Sequence, residues 1–261
     1  MYHRFQWTRS SRRRNGISKE YEPFQPYFLL ALINATGCRT FADVGSNIGA
    51  YSILMSQASS VEKVVAFEAN SAVVQEVQTN FQLNSLTAEI RPVAVSNQKG
   101  TLQFGIVSRL AGNSAAVETA SRENYHKVEQ VDCVTLDEAL ADCPSPLAIK
   151  IDVEGHEKQV LAGARDILDN PCVIQVENYA GDLDLPDSFT KMATIGPDWY
   201  YSNIAGIDAI SLFEQASAMM IKSNHETKSA SIHLGDFALT VSGRSYEIFK
   251  RVAKKCIGSR L

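Results

Sequence analysis

Nine consecutive residues, Ile149-Lys150-Ile151-Asp152-Val153-Glu154-Gly155-His156-Glu157, crowd three carboxylates, a lysine and a histidine into little more than two turns' worth of chain. Carboxylates and imidazoles are the side chains that hold or move protons near neutral pH, so Asp152, Glu154 and His156 are candidates for orienting and deprotonating a reacting hydroxyl. Lys150 lies in an apolar run, where a charge is costly unless it is paired. It either forms an ion pair that merely holds the loop or tunes the acid beside it. His156 is read as either a substrate-specific base or a bystander. A divalent cation on Asp152, Glu154 and His156 is conceivable, but the cluster lacks further spaced ligands and no metal is assigned.

A second group lies about a hundred residues earlier, in Phe41-Ala42-Asp43-Val44-Gly45-Ser46-Asn47-Ile48-Gly49-Ala50-Tyr51. An apolar run ends in a carboxylate, a glycine-containing loop follows, and Ile48, Tyr51, Ser52 and Met55 recur at helical spacing. Strand, turn and helix in that order form a cofactor cradle, because glycine lets the backbone come close to a ligand and a helix start offers unpaired N–H groups. The dinucleotide fingerprint needs a third glycine that this loop lacks, which weakens a pyrophosphate reading. A ligand with an amino group and ribose hydroxyls suits Asp43 better, and S-adenosylmethionine is such a ligand.

These residues need strands to carry them. Val64-Val65-Ala66-Phe67 is a continuous apolar run ending at Glu68, as expected of a parallel strand buried on both faces. Leu147–Asp152 and Cys172–Glu177 read the same way, and along the former Lys150 and Asp152 share one face. Asp43, Glu68, Asp152 and Glu177 then all fall at strand carboxyl ends, the edge where open α/β sheets bind ligands.

Helices are expected between the strands: one carrying Phe28, Leu29, Leu32 and Ile33 and closed by Gly37, one over Ile48–Gln57, one capped by Asn70 or Ser71 and ended by Asn84, a short one opened by Thr135-Leu136-Asp137-Glu138, and one carrying Val160 to Leu168. Ala88–Ser96 reads as a third strand that Pro92 forces to bulge or take an edge. Leu102, Phe104 and Ile106 alternate as an extra antiparallel strand, Val128–Val134 as another, and Ser108–Asn124 as a loop beside the site. Beyond Glu177 the pattern thins to a short helix near Ser188–Thr194, strands Trp199–Ile204 and Asp236–Ser242 that could pair as an antiparallel edge, and a helix carrying Tyr246, Phe249, Val252 and Cys256. The alternation gives an α/β fold, a doubly wound, mostly parallel sheet with an antiparallel C-terminal edge.

The segment Ile149–Glu157 followed by Val160-Leu161-Ala162-Gly163-Ala164 resembles the K-I-D-V-E-G-x-E…L-x-G-A signature of the FkbM-type methyltransferases. In the same order the chain carries a D-V-G-x-N-x-G loop, a V-x-A-F-E strand end, Asn80 and Asn84 in an N-x-x-x-N turn, a V-A-V-S segment and T-L-D-E, together spanning residues 41–177. The resemblance implies a Rossmann-like class I methyltransferase fold and S-adenosylmethionine-dependent methyl transfer onto a hydroxyl of a sugar or another small molecule. It implies further that Asp43, Gly45, Asn47 and Gly49 hold the methionine end, that Glu68 holds the ribose hydroxyls, and that Ala94 borders the adenine. Ala69 stands where the family usually has proline, which alters a turn and leaves the carboxylate. Two other readings are an NAD-type oxidoreductase and a catalytically silent binding module. Asn178 and Tyr179, just past the fifth strand, are open between loop packing and acceptor contact.

At 261 residues and 45% hydrophobic content the chain can bury a substantial core, and residues 23–261 read as one domain. Residues 1–22 read as a basic leader: Arg4, Arg9, Arg12, Arg13, Arg14 and Lys19 stand without an acid through residue 19, which leaves the rest of the chain acidic. The leader is open to four readings: a solvated tail, a transit peptide, a contact with an anionic surface, or a nucleic-acid arm. No apolar stretch of secretory-signal kind follows it. An acidic body argues against a dedicated nucleic-acid groove and for a small-molecule or glycan acceptor. No run approaches a membrane-spanning length, and the five cysteines form no C-x-x-C pair, which points to thiols in a reducing, cytoplasmic setting.

Overall fold

The computed structural model describes residues 24–106, 115–116, 125, 127–178, 181–223, 229–234 and 237–242. The basic leader, Tyr179, most of the loop 108–124 and the helix expected around Tyr246–Cys256 lie outside these residues.

Apolar runs dominate the centre. Strands β1 (Thr40–Val44), β8 (Leu147–Ile151) and most of β9 (Cys172–Glu177) are buried on both faces, as parallel strands covered by helices must be. With β2 (Lys63–Phe67), β3 (Glu89–Arg91), β10 (Thr190–Ile195) and β11 (Asp198–Ser202) they form a seven-stranded sheet in the order β3-β2-β1-β8-β9-β11-β10. The strands from β3 to β9 are parallel, and β11 runs antiparallel to both β9 and β10.

Alternation along the strands feeds two cores. Phe41, Ala148, Val173 and Tyr200 face a layer built from α1 (Gln25–Thr36), α2 (Ala50–Met55) and α6 (Ala209–Ser223). Ala42, Ile149, Ile174 and Val176 face the opposite layer, with α4 (Leu136–Leu140) and α5 (Glu157–Ala162). A third group of side chains, among them Val73, Val77 and Phe81, seats α3 (Ser71–Leu83). In the first layer Phe24 stacks on Phe213 at 5.6 Å and Phe28 meets Tyr200 edge-on at 4.8 Å, tying α1 and α6 to the antiparallel edge.

The helix ends follow local chemistry. Gly37 closes α1 in the left-handed conformation, the Asn70 side chain accepts the Ala72 N–H at the start of α3, and Thr135 Oγ1 accepts the Glu138 N–H at the start of α4.

Four expectations change, and one helix is new. Pro92 does more than bulge a strand: the chain breaks there into β3, in the main sheet, and β4 (Ala94–Val95), which joins β5 (Gly100–Ile106), β6 (Ala115–Ala116) and β7 (Lys127–Val134) in a separate four-stranded sheet. The helix expected from Val160 to Leu168 ends at Gly163 and resumes as a 3-10 turn over Ile167–Asp169. At Gly163 an added Cβ would sit 2.1 Å from the Ser96 carbonyl oxygen, so the chain passes too close to the β4 turn for a side chain. The expected helix near Ser188–Thr194 is strand β10, because Thr190–Ile195 finds β11 as an antiparallel partner. The late strand Phe237–Ser242 (β13) pairs with Ser229–Leu234 (β12) and not with β11. Helix α6, whose periodicity was not recognised, packs against α1.

Candidate active site

Three strands end in register at the cavity. The side-by-side pairs Asp43–Lys150 and Lys150–Gln175 place these three polar residues in one row across β1, β8 and β9, on the face beneath α2. Asp43, 1% exposed, accepts the Ser52 N–H at 3.0 Å and the Ser52 hydroxyl at 2.7 Å through Oδ2. Burial raises its pKa, and the Lys150 charge and the Ser52 bonds offset this only in part. Lys150, 4% exposed, places Nζ 4.8 Å from the centre of the Tyr51 ring and 2.9 Å from Asp152 Oδ2. Gln175 Nε2 donates to the Tyr51 hydroxyl and to Asp198 Oδ1. This polar row braces the floor of the site.

Above it, the loop after β1 turns through Gly45 and Asn47, both with positive φ, of 78° and 50°. Gly45 is obligatory on two counts. The backbone is left-handed, and a Cβ there would stand 1.9 Å from the Asp152 carbonyl oxygen. Asp152 N–H in turn donates to the Val44 carbonyl, so the two loops that end β1 and β8 are locked to each other. Gly49 opens α2 in the same conformation, with Phe81 filling the space of its missing side chain.

Glu68 ends β2 and lies under the first loop. Its Oε2 accepts the Asn47 N–H at 2.8 Å and its Oε1 the Asn70 N–H at 2.7 Å. A carboxylate oxygen has room for a second partner, so the group can still accept bonds from a ligand. Burial nevertheless pushes its pKa up to about 7, against the pull of those two amides.

The carboxyl edge of the sheet opens into a half-open cleft whose empty space, open solvent included, is about 810 Å³. Its apolar wall comes from Val93, Ala94, Val95, Leu102, Phe104 and Ala116, and so from the second sheet, while Glu68 and Asn47 stand along one side. Asp152, Glu154, His156 and Glu177 line it as well. The carboxylate oxygens of Asp152, Glu154 and Glu177 lie within 4.8 Å of one another. Burial works to raise the Asp152 pKa, but the Lys150 charge and hydrogen bond, with a further bond from Glu177, hold it below the usual carboxylate range. Glu154 goes the other way: burial, then the neighbouring charges of Asp152 and Glu157, push it up to about 7. Two adjacent acids are thus driven to opposite protonation behaviour.

The residues singled out from the sequence therefore separate. Gly45, Asn47, Glu68, Ala94, Asp152, Glu154 and His156 line the cavity, whereas Asp43, Gly49 and Lys150 lie behind its wall. His156 Nε2 is 2.9 Å from Ser96 Oγ, tying the loop to the β4 turn. Asn178 takes part in loop packing, donating its N–H to the Pro197 carbonyl and its side-chain amide to the Gly181 carbonyl. Two residues gain importance. Glu177 was legible as a strand-end acid but not as the partner of Asp152, and Glu157 Oε1 accepts the N–H groups of Val153 and Gly155, at 3.2 and 3.0 Å.

A seven-stranded sheet, parallel but for an antiparallel strand near one edge, with acids and apolar side chains about a cleft at its carboxyl edge, is the Rossmann-like class I methyltransferase fold. The chain belongs to the FkbM methyltransferase family: residues 43–195 match the Methyltransferase FkbM domain. Hexuronic acid methyltransferase AglP of Haloferax volcanii is 31% identical over 150 residues, which cover 58% of this chain and 59% of that protein. Methyltransferase 1 of Beauveria bassiana is 23% identical over 185 residues, 60% of this chain and 74% of that one. Among solved structures, an O-methyltransferase from Bacillus cereus in complex with SAH aligns with a TM-score of 0.39 at 15% identity, covering 82% of this chain and 74% of that one. A methyltransferase from Geobacter sulfurreducens aligns at 0.43 and 12%, covering 75% and 86%.

Proposed function

We propose that this protein transfers the methyl group of S-adenosylmethionine to a hydroxyl oxygen of a sugar or other small molecule. The observation that carries the reading is the pairing, in one cavity, of Glu68 beside an apolar wall with Glu154 beside Asp152. The cofactor fits the residues present. Glu68 has acceptor capacity for ribose hydroxyls, the buried Asn47 Oδ1 has no partner among the described residues, and Val93, Ala94, Val95, Leu102 and Phe104 offer an apolar slot for a flat base. The likeness to a hexuronic acid methyltransferase of Haloferax volcanii supports a sugar acceptor.

S-adenosylmethionine, when bound, supplies a methyl carbon whose bond to sulfur breaks as the acceptor oxygen attacks, leaving a neutral thioether. The protein's work is to align and to manage one proton. Asp152, kept ionised by Lys150, accepts a hydrogen bond from a hydroxyl of the acceptor next to the reacting one and so orients the molecule. Glu154, poised near neutrality, takes the hydroxyl proton on its carboxylate and passes it to solvent; a base placed in this way contributes about 10²–10⁴-fold. Lys150, in the braced floor, fixes Asp152. A cytoplasmic setting fits the free thiols of Cys38, Cys133, Cys143 and Cys172.

Calorimetric titration with S-adenosylmethionine, S-adenosylhomocysteine, NAD and NADP tests the cofactor, with Glu68→Ala alongside. Saturable binding of the two sulfur ligands alone, weakened in the variant, is the expected result. Binding of the nicotinamide cofactors instead would overturn the reading in favour of an oxidoreductase. A panel of neutral sugars, uronic acids and phenols, analysed by mass for a gain of one methyl group, then identifies the acceptor.

A further inference from the structure

The loop between β8 and α5 adopts a conformation that its own sequence does not favour. Glu154 has φ 55° and Gly155 φ 101°, so two successive residues lie in the left-handed region, and for a glutamate this is uncommon. Something outside the pair must hold it. Three ties are present: Asp152 N–H to the Val44 carbonyl, His156 to Ser96, and the single oxygen Glu157 Oε1, which accepts the N–H groups on both sides of Glu154. The third tie alone spans Glu154 itself.

We propose that Glu157 is a positioning residue for methyl transfer: by gripping the amides of Val153 and Gly155 it holds Glu154 in the left-handed turn that carries its carboxyl to the cavity. This rests on Glu154 as the proton acceptor. Glu157 also acts through charge. The charged groups that face Glu154 are Asp152 and Lys150 on β8, Glu177 on β9 and Glu157 at the start of α5. Lys150 favours the ionised form of Glu154, while Asp152 and Glu157 oppose it. One side chain thus holds the base in place and adds, after burial and Asp152, to the pH at which it works.

The test needs neither cofactor nor acceptor. Amide hydrogen exchange at Val153 and Gly155, and the carbon-13 titration of the Glu154 carboxyl assigned with Glu154→Gln, are measured on the full chain as wild type, Glu157→Gln and Glu157→Ala. In Glu157→Ala both amides should exchange about tenfold faster or more, with α5 and β8 unchanged. Glu157→Gln keeps a carbonyl oxygen, so its exchange should stay within about threefold of wild type, and its Glu154 midpoint should still fall for want of the negative charge. Unchanged amides in Glu157→Ala, an unmoved midpoint in Glu157→Gln, or a loss of protection spread evenly through α5 and β8 would each overturn the proposal. Should Glu157→Ala not fold, the midpoint in Glu157→Gln decides alone. Failure of the wild type to bind S-adenosylhomocysteine would instead count against the methyltransferase reading and leave these measurements intact.

Discussion

Glu68 and Glu154 are acids that burial keeps protonated to about pH 7, well above the glutamate value of 4.5, and each yields a signed expectation. For Glu68 the folded state keeps its proton to about pH 7, while the unfolded chain releases it near 4.5. Between those values the folded state binds more protons, so stability falls as pH rises, by up to about 1.4 kcal/mol per pH unit and roughly 3 kcal/mol across the window. Asp43 adds to this trend, while Asp152, with its lowered pKa, changes stability only below about pH 3.8, outside this window. Glu68→Gln isolates the Glu68 share: thermal unfolding from pH 4.5 to 7.5 should show a shallower decline than in the wild type. With Glu154 as the proposed proton acceptor its working form is the carboxylate, so kcat/KM should rise through about pH 7 and level off above it. Glu154→Gln should lower kcat by about 10²–10⁴-fold while S-adenosylhomocysteine affinity stays within about twofold, since in the proposed mechanism this side chain serves the proton and not the cofactor.

Among the elements, the two loops that end β1 and β8 behave as one unit. Gly45→Ala would force a methyl group into the Asp152 carbonyl and strain a left-handed turn, so a loss of about 2 kcal/mol or more is expected. Because the displaced backbone is that of Asp152, cofactor affinity and turnover should fall together, read by calorimetry and melting temperature on the same sample. Asp43 and Lys150 also belong to this scale: both read as site residues from their types, and both lie behind the cavity wall, where they brace it. The strand alternation that paired Lys150 with Asp152 was legible, and the salt bridge follows from it. Their neighbours across the sheet were not, because register between strands is set by contacts distant in sequence.

In the whole molecule, α1 and α6 hold the sheet without lining the site. Phe24, Phe28, Tyr200 and Phe213 lock α1 and α6 onto the antiparallel edge. Phe28→Ala should cost about 3–5 kcal/mol by leaving a cavity among fully buried rings. Measured below its own melting temperature, the variant should bind S-adenosylhomocysteine within about twofold of wild type, a clean separation of scaffold from site.

The sequence alone determined the strands of the parallel core, most of the helices between them, and the two motifs at its carboxyl edge. These are written in local patterns: continuous apolar runs, helical periodicity, caps, and acids at run ends. Tertiary structure decided what local pattern does not carry. It split the strand at Pro92 between two sheets, turned Thr190–Ile195 into a strand by supplying a partner, and stopped a helix at Gly163 because another backbone passes there. It sorted the acids as well, sending Asp43 behind the wall and bringing Glu177 to Asp152. The physical reason is common to all of these: pairing, burial and close approach are relations between segments far apart in the chain, and they take effect only when the chain is folded.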